Sequence, residues 1–183
     1  MLNRISSWIL KVLGWRVTGK PPRDLKKYII IVIPHTSNWD FPLGLLVRSK
    51  TGIQVNFIGK KSLFKPPWGF LFRRLGGYPV DRTKRASFVD NAVELFKENE
   101  RFALTIAPEG TRSRTDHLKS GFYYIALGAK VPIIMVKFDY EHKVVDFADP
   151  FEPTGEKEDD FEFIEAHFKG VRGKHPEYSY GID

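Results

Sequence analysis

The chain has 183 residues, 42% of them hydrophobic and 14% aromatic, enough to bury a sizeable core in one domain, so disorder is not the expected state. It holds no cysteine, which excludes disulfides and thiolate-bound zinc or iron–sulfur sites and is compatible with a reducing cytosolic compartment. A formal charge of +7 points to an anionic partner, whether nucleic acid, an anionic membrane surface or a phosphorylated small molecule, and no apolar run reaches the length of about 18 residues that a transmembrane helix needs.

The N-terminal stretch "MLNRISSWILKVLGW" gathers Leu2, Ile5, Trp8, Ile9, Val12, Leu13 and Trp15 on one broad helical face, opposite Asn3, Arg4, Ser7, Lys11 and Gly14. Residues 1–16 therefore read as an amphipathic helix, suited either to a membrane interface or to packing on its own domain. The stretch lacks the long apolar segment and small-residue cleavage site of a signal peptide, so the expectation is a soluble or peripheral protein. After the loop around "GKPPRD", the run "YIIIVI" at 28–33 has the pattern of a central strand covered on both faces. In "SNWDFPLGLLVRSKTG", Ser37 or Asn38 can cap a helix that Gly52 stops.

A strand "IQVNFIG", a helix near "SLFKPPWGFLFRRLG" with Pro66 and Pro67 in or before its first turn, and a short extended "YPV" are expected next. A helix over "TKRASFVDNAVELFKENE" buries Phe88, Ala92, Val93, Leu95 and Phe96, and leads to a strand "RFALTIA" that ends at "PEGTRSR". A helix near "LKSGFYYIALGAK" precedes the strand "VPIIMVKF", "KVVDFA" reads as an edge strand, and "TGEKEDDFEFIEAHFKG" is a helix with Thr154 as the N-cap candidate. Strands alternating with helices predict a single α/β domain over 1–183, with a mixed, largely parallel sheet flanked by helices and residues 139–183 as its C-terminal extension.

Loops at the C-terminal ends of such strands build ligand sites, and three of them carry reactive residues. His35 can take a proton from a hydroxyl if a carboxylate fixes its tautomer, and Asp40, five positions on in a first helical turn, can face back to the ring. The spacing alone is a weak signal and better suits two hydrogen-bonded loop residues. "GGYPVDR" brings Arg82, and "PEGTRSR" brings Glu109, Thr111, Arg112 and Arg114, beside glycines that let backbone N–H groups approach an anion. Each could instead be a solvated basic turn.

Taken in order, "HTSNWD", "GGYPVDR", "PEGTRS" and "VPIIMV" resemble the four blocks of the glycerolipid acyltransferases typified by 1-acylglycerol-3-phosphate acyltransferase, over about residues 15 to 138. The resemblance implies transfer of a fatty acyl group from acyl-CoA or acyl carrier protein, as cosubstrate, to a lysolipid hydroxyl, with no tightly bound cofactor and no metal. It implies His35 as general base and Asp40 as its orienting carboxylate, with Arg82 and Lys60 holding the acceptor's phosphate. Glu109, Gly110, Thr111 and Arg112 would form the acceptor-binding block, and Pro132 would shape the site. The implied location is the cytoplasmic face of a membrane, bound peripherally at an anionic surface, with no nucleic-acid partner. Two departures bear on the acceptor: Pro34 stands where an Asn often precedes the histidine, and Met135 where a second Pro is common.

A lyso form of an amino-acid-containing lipid is the alternative acceptor. A noncatalytic basic module binding anionic membrane or nucleic acid is the alternative of another class. Phe57, Phe64, Trp68, Phe70 and Phe72 are expected in the core rather than along an acyl channel, and the remaining histidines show no metal-ligand spacing.

Overall fold

The computed structural model describes residues 2–80 and 85–182. In chain order the elements are α1 (Leu2–Val12), β1 (Arg16–Gly19), β2 (Lys27–Ile33), α2 (Asp40–Thr51), β3 (Asn56–Lys60), α3 (Gly69–Arg74), β4 (Gly77–Val80), α4 (Arg85–Glu98), β5 (Phe102–Ile106), α5 (Gly121–Ala129), β6 (Ile133–Asp139), β7 (Val144–Phe147) and α6 (Lys157–Phe168). Short 3₁₀ turns cover Lys61–Phe64 and Pro176–Tyr178. The strands form one sheet in the order β1-β7-β6-β2-β5-β3-β4. Every neighbouring pair is parallel except β6 with β7.

Alternation along β2 explains why "YIIIVI" is apolar throughout: successive side chains point to opposite faces. Ile29, Ile31 and Ile33 enter a core with Ala92 and Phe96 of α4, Phe122, Ile125 and Ala126 of α5, and Ile164 and Phe168 of α6. Tyr28, Ile30 and Val32 enter a second core with Leu10 of α1 and Leu43 and Val47 of α2. β6 divides the same way, with Ile133 and Met135 on one side and Ile134, Val136 and Phe138 on the other. Helices thus cover both faces, as a buried, mostly parallel sheet requires.

Three local expectations are corrected. "KVVDFA" is not an edge strand, because the short β1, whose residues are all exposed or half-buried and so leave no apolar signature, pairs with it. The prolines precede the next helix, as expected: a 3₁₀ turn leads to the Pro66–Pro67 pair and α3 begins at Gly69. Helix α2 starts at Asp40 with no side-chain cap, although Gly52 ends it in the left-handed conformation (φ 73°) as expected. Thr154 does not cap α6 directly; its N–H and hydroxyl both donate to Asp160 in the first turn, at 2.8 and 2.9 Å, so the acidic residue reaches back to the loop.

Helix α1 packs on α2 through buried Leu10 and through Ser6, whose hydroxyl meets that of Ser49 at 2.8 Å. Its stripe of larger residues faces outward: Trp8 is 65% exposed and Val12 64%, with Ile5 and Leu13 also exposed. Trp68 and Phe70, expected in the core, are exposed too, because the six-residue α3 turns only Phe72 inward, against Phe64 of the preceding turn.

Candidate active site

Parallel strands deliver their C-terminal ends to one edge of the sheet, and there the loops after β2 and β5 meet. Strand β2 ends at Ile33; a cis peptide bond to Pro34 leads into a tight loop, and α2 opens at Asp40. The five-residue interval folds the carboxylate back on the ring: His35 Nδ1 lies 2.8 Å from Asp40 Oδ2. In neutral imidazole one ring nitrogen donates and the other accepts. A carboxylate on Nδ1 keeps the proton there and leaves Nε2 as the acceptor. The His35 side chain is 24% exposed, whereas that of Asp40 is 3% exposed, so the base can reach substrate while its orienting group is sealed from water.

Asp40 is fully engaged. Oδ2 also accepts the Ser37 N–H at 3.0 Å, and Oδ1 accepts the Tyr140 hydroxyl at 2.6 Å. Glu109, from the loop after β5, is buried and accepts the backbone N–H of His35 at 2.6 Å. Burial pushes its carboxyl up to about 7, against the lowering influence of that N–H and of the nearby histidine. Gly110 follows in the left-handed conformation (φ 65°), with the Lys119 side chain lying where a Cβ would stand. No larger residue fits there without displacing that cation.

Of the residues expected at the site, His35, Asp40 and Glu109 are in contact. Gly110, Thr111 and Arg112 sit on the same loop as Glu109, the last two exposed to solvent, with Thr111 Oγ1 accepting the Ser113 N–H at 3.2 Å. Lys60 ends β3 at the same edge of the sheet, though its side chain lies outside what the structure describes. Arg82 lies outside the described residues, two positions beyond the end of β4. Pro132 is not at this edge. It precedes the first residue of β6, and its carbonyl accepts the Ile29 N–H at the start of β2. His35 is six residues further along that strand direction, about 20 Å at the strand rise. Among the described residues no group of three or more His, Asp or Glu is placed to hold a metal ion.

The described residues after 138, which carry no recognisable block, supply the back wall. Tyr140 touches the dyad; the His175 N–H donates to Thr36 Oγ1 at 3.1 Å; and Gly173 lies so close to Thr36 that a Cβ would collide with it, and would crowd Pro34. Nothing in the local spacing around Tyr140 marks it. Only its position just beyond the β6 run, at the strand's C-terminal end, could have suggested it.

Comparison with known proteins gives the family. The acyltransferase family profile matches residues 14–138. A "1-acyl-sn-glycerol-3-phosphate acyltransferase" of Saccharomyces cerevisiae is 32% identical over 139 residues, covering 68% of this chain and 42% of that protein. One of Haemophilus influenzae, with the same name, is 26% identical over 177 residues, covering 85% of this chain and 72% of the relative. The chain thus spans less than half the length of the yeast relative and nearly three quarters of the bacterial one. The crystal structure of the 1-acyl-sn-glycerophosphate (LPA) acyltransferase PlsC from Thermotoga maritima superposes with a TM-score of 0.63 at 21% identity, covering 91% of this chain and 74% of the other, a likeness of fold. With its histidine–aspartate pair at the C-terminal edge of this sheet, and the family profile running from the end of α1 to the end of β6, the chain belongs to the acyltransferase family.

Proposed function

We propose that the protein transfers a fatty acyl group from an acyl thioester, acyl-CoA or acyl carrier protein, to a free hydroxyl of a lysolipid, with 1-acylglycerol-3-phosphate as the foremost acceptor. The observation that carries this is the 2.8 Å contact of His35 Nδ1 with buried Asp40, which leaves Nε2 as a general base at an open edge of the sheet. No protein nucleophile is needed. Nε2 takes the acceptor's hydroxyl proton, the oxygen attacks the thioester carbonyl carbon, and the tetrahedral oxyanion collapses with cleavage of the C–S bond. The imidazolium returns its proton to the departing thiolate, leaving an ester and a free thiol. Lys60, Arg82 and Arg112 are proposed to hold the acceptor's phosphate, which guanidinium forks recognise bidentately.

Delivery of a lipid acceptor fits a peripheral position on an anionic membrane. No helix among the described residues is long and apolar enough to cross a membrane. The α1–α2–α3 flank instead exposes Ile5, Trp8 and Val12 on α1, Trp39 beside the dyad, and Trp68 and Phe70 at α3. Phe41 of α2 meets Phe57 and Phe72 with ring centroids 5.3 and 6.4 Å apart, which joins α3 to the end of α2 that bears Asp40. Exposed tryptophans and aliphatics beside cations suit the interfacial layer.

The test is a panel of lysolipids, phosphate-bearing and phosphate-free, offered with acyl-CoA or acyl carrier protein and read by mass spectrometry. Acylation of the lysophosphatidate at the highest kcat/KM supports the reading. Preference for an amino-acid-containing lysolipid would correct the acceptor, and no acylated product from any pair would overturn the reading.

A further inference from the structure

Asp40 is only 4% exposed, so every lone pair that lacks a donor there is costly. Its two oxygens are served unequally. Oδ2 meets both the His35 ring and the Ser37 N–H, from its own loop, while the donor to Oδ1 comes from the far side of the sheet edge, 100 residues on in sequence. That donor is Tyr140, the residue after β6 and two beyond the region that matches the family. Its backbone N–H bonds the Arg172 carbonyl at 2.9 Å, and its ring stands edge-on to Trp15 with centroids 4.9 Å apart at 89°. The phenol is therefore fixed from two sides before it reaches the carboxylate.

We propose that Tyr140 is a positioning residue of the catalytic pair, which fixes the rotation of the Asp40 carboxylate and draws charge from it through Oδ1. The inference rests on the reading of His35 and Asp40 as base and orienting group. A carboxylate held only through Oδ2 can turn about its terminal torsion, which is broad and has no deep staggered well. The Tyr140 O–H removes that freedom and keeps Oδ2 aimed at Nδ1. Burial and the carboxylate it donates to raise the phenol well above its ordinary range, so it stays a donor throughout the working pH range. By taking up charge at Oδ1 it lowers the pull of Asp40 on the ring proton, and so disfavours the imidazolium at rest.

Other titratable groups surround the pair. Glu109 lies on the loop after β5; Arg172, Lys174 and His175 lie on the C-terminal segment, with Lys174 over the Trp39 ring at 4.6 Å; and Asp139 precedes Tyr140. Burial raises the Glu109 carboxyl to about 7, so the His35 ring must be observed directly.

The test is Tyr140→Phe, which keeps the ring and the Trp15 contact. Expected are a fall in kcat on the order of 10-fold with KM nearly unchanged, and a rise of about half a pH unit in the acid limb of kcat/KM. The His35 ring nitrogens, followed by 15N NMR, should titrate upward by the same interval and lose part of the Nδ1–H tautomer. This readout needs no turnover, and a purely structural tyrosine would not move it. If kcat, the acid limb and the His35 titration all match wild type in a variant with native circular dichroism, the inference is wrong. His35→Ala separates the two layers: if it retains activity the catalytic reading itself fails, whereas an inactive His35→Ala beside a wild-type Tyr140→Phe overturns only the role of Tyr140.

Discussion

Replacing Glu109 by glutamine should make the protein more stable at mildly alkaline pH and remove a specific component of its pH dependence. Glu109 is 2% exposed, and burial raises its carboxyl from the ordinary 4.5 to about 7. Between those values the folded chain keeps a proton that the unfolded chain has released, so stability falls as pH rises. The contribution of the neutral carboxyl is complete below pH 4.5 and is lost as pH rises through 7. At about 1.36 kcal/mol per pH unit, the interval from 4.5 to about 7 comes to about 3 kcal/mol. Glutamine cannot ionise and its Oε1 can still accept the His35 N–H. The extra amide hydrogen it buries costs about 1 kcal/mol at every pH, which leaves a net gain of about 2 kcal/mol at pH 8 and a net loss of about 1 kcal/mol near pH 4.5. Urea unfolding of both proteins at half-unit steps from pH 4.5 to 8 measures this, because the difference cancels the titrating groups that do not interact with Glu109. Parallel stability curves for the two proteins would refute the reasoning.

Two further outcomes follow from the same geometry. Asp40→Asn offers His35 an amide in place of the carboxylate; with N–H toward Nδ1 the ring must carry its proton on Nε2, and kcat should fall on the order of 10³- to 10⁴-fold. A loss confined to KM would mean that Asp40 serves binding rather than the base. Changing Ile5, Trp8 and Val12 together to serine, side chains that are exposed and support no core, should weaken sedimentation with anionic vesicles at least about 10-fold while the melting temperature changes little. Unchanged sedimentation would remove α1 from the membrane contact.

The sheet and its helices were legible because periodicity carries them. The β2 and β6 runs, the α4 face and the Gly52 stop are local patterns, and each appears where the pattern puts it. What escaped was set by tertiary contacts. β1 is four residues of mixed polarity that pair only because β7 offers an edge. α1 buries Ser6 and Leu10 rather than its larger apolar stripe, a choice made by where α2 lies. At the site, the His35–Asp40 pair follows from a strand ending and a helix beginning five residues apart. The bond from Tyr140 and the approach of Gly173 depend instead on the chain returning after 100 residues or more, which no local spacing encodes. Glu109, expected in the acceptor-binding block, also bonds the His35 backbone N–H through Oε2, a contact no local spacing announces. Pro132, expected to shape the site, lies at the opposite end of the strands, because the block that contains it opens β6 rather than closing it.

The central claim is that His35 removes the acceptor's proton. The most direct measurement compares wild type and His35→Ala on lysophosphatidate with an acyl thioester, by mass spectrometry of the lipid product and release of the free thiol, with circular dichroism to establish that the variant is folded. Loss of about 10²- to 10⁴-fold in product formation, with ester and thiol falling together, is expected. Acylation at the wild-type rate by a folded His35→Ala protein would contradict it.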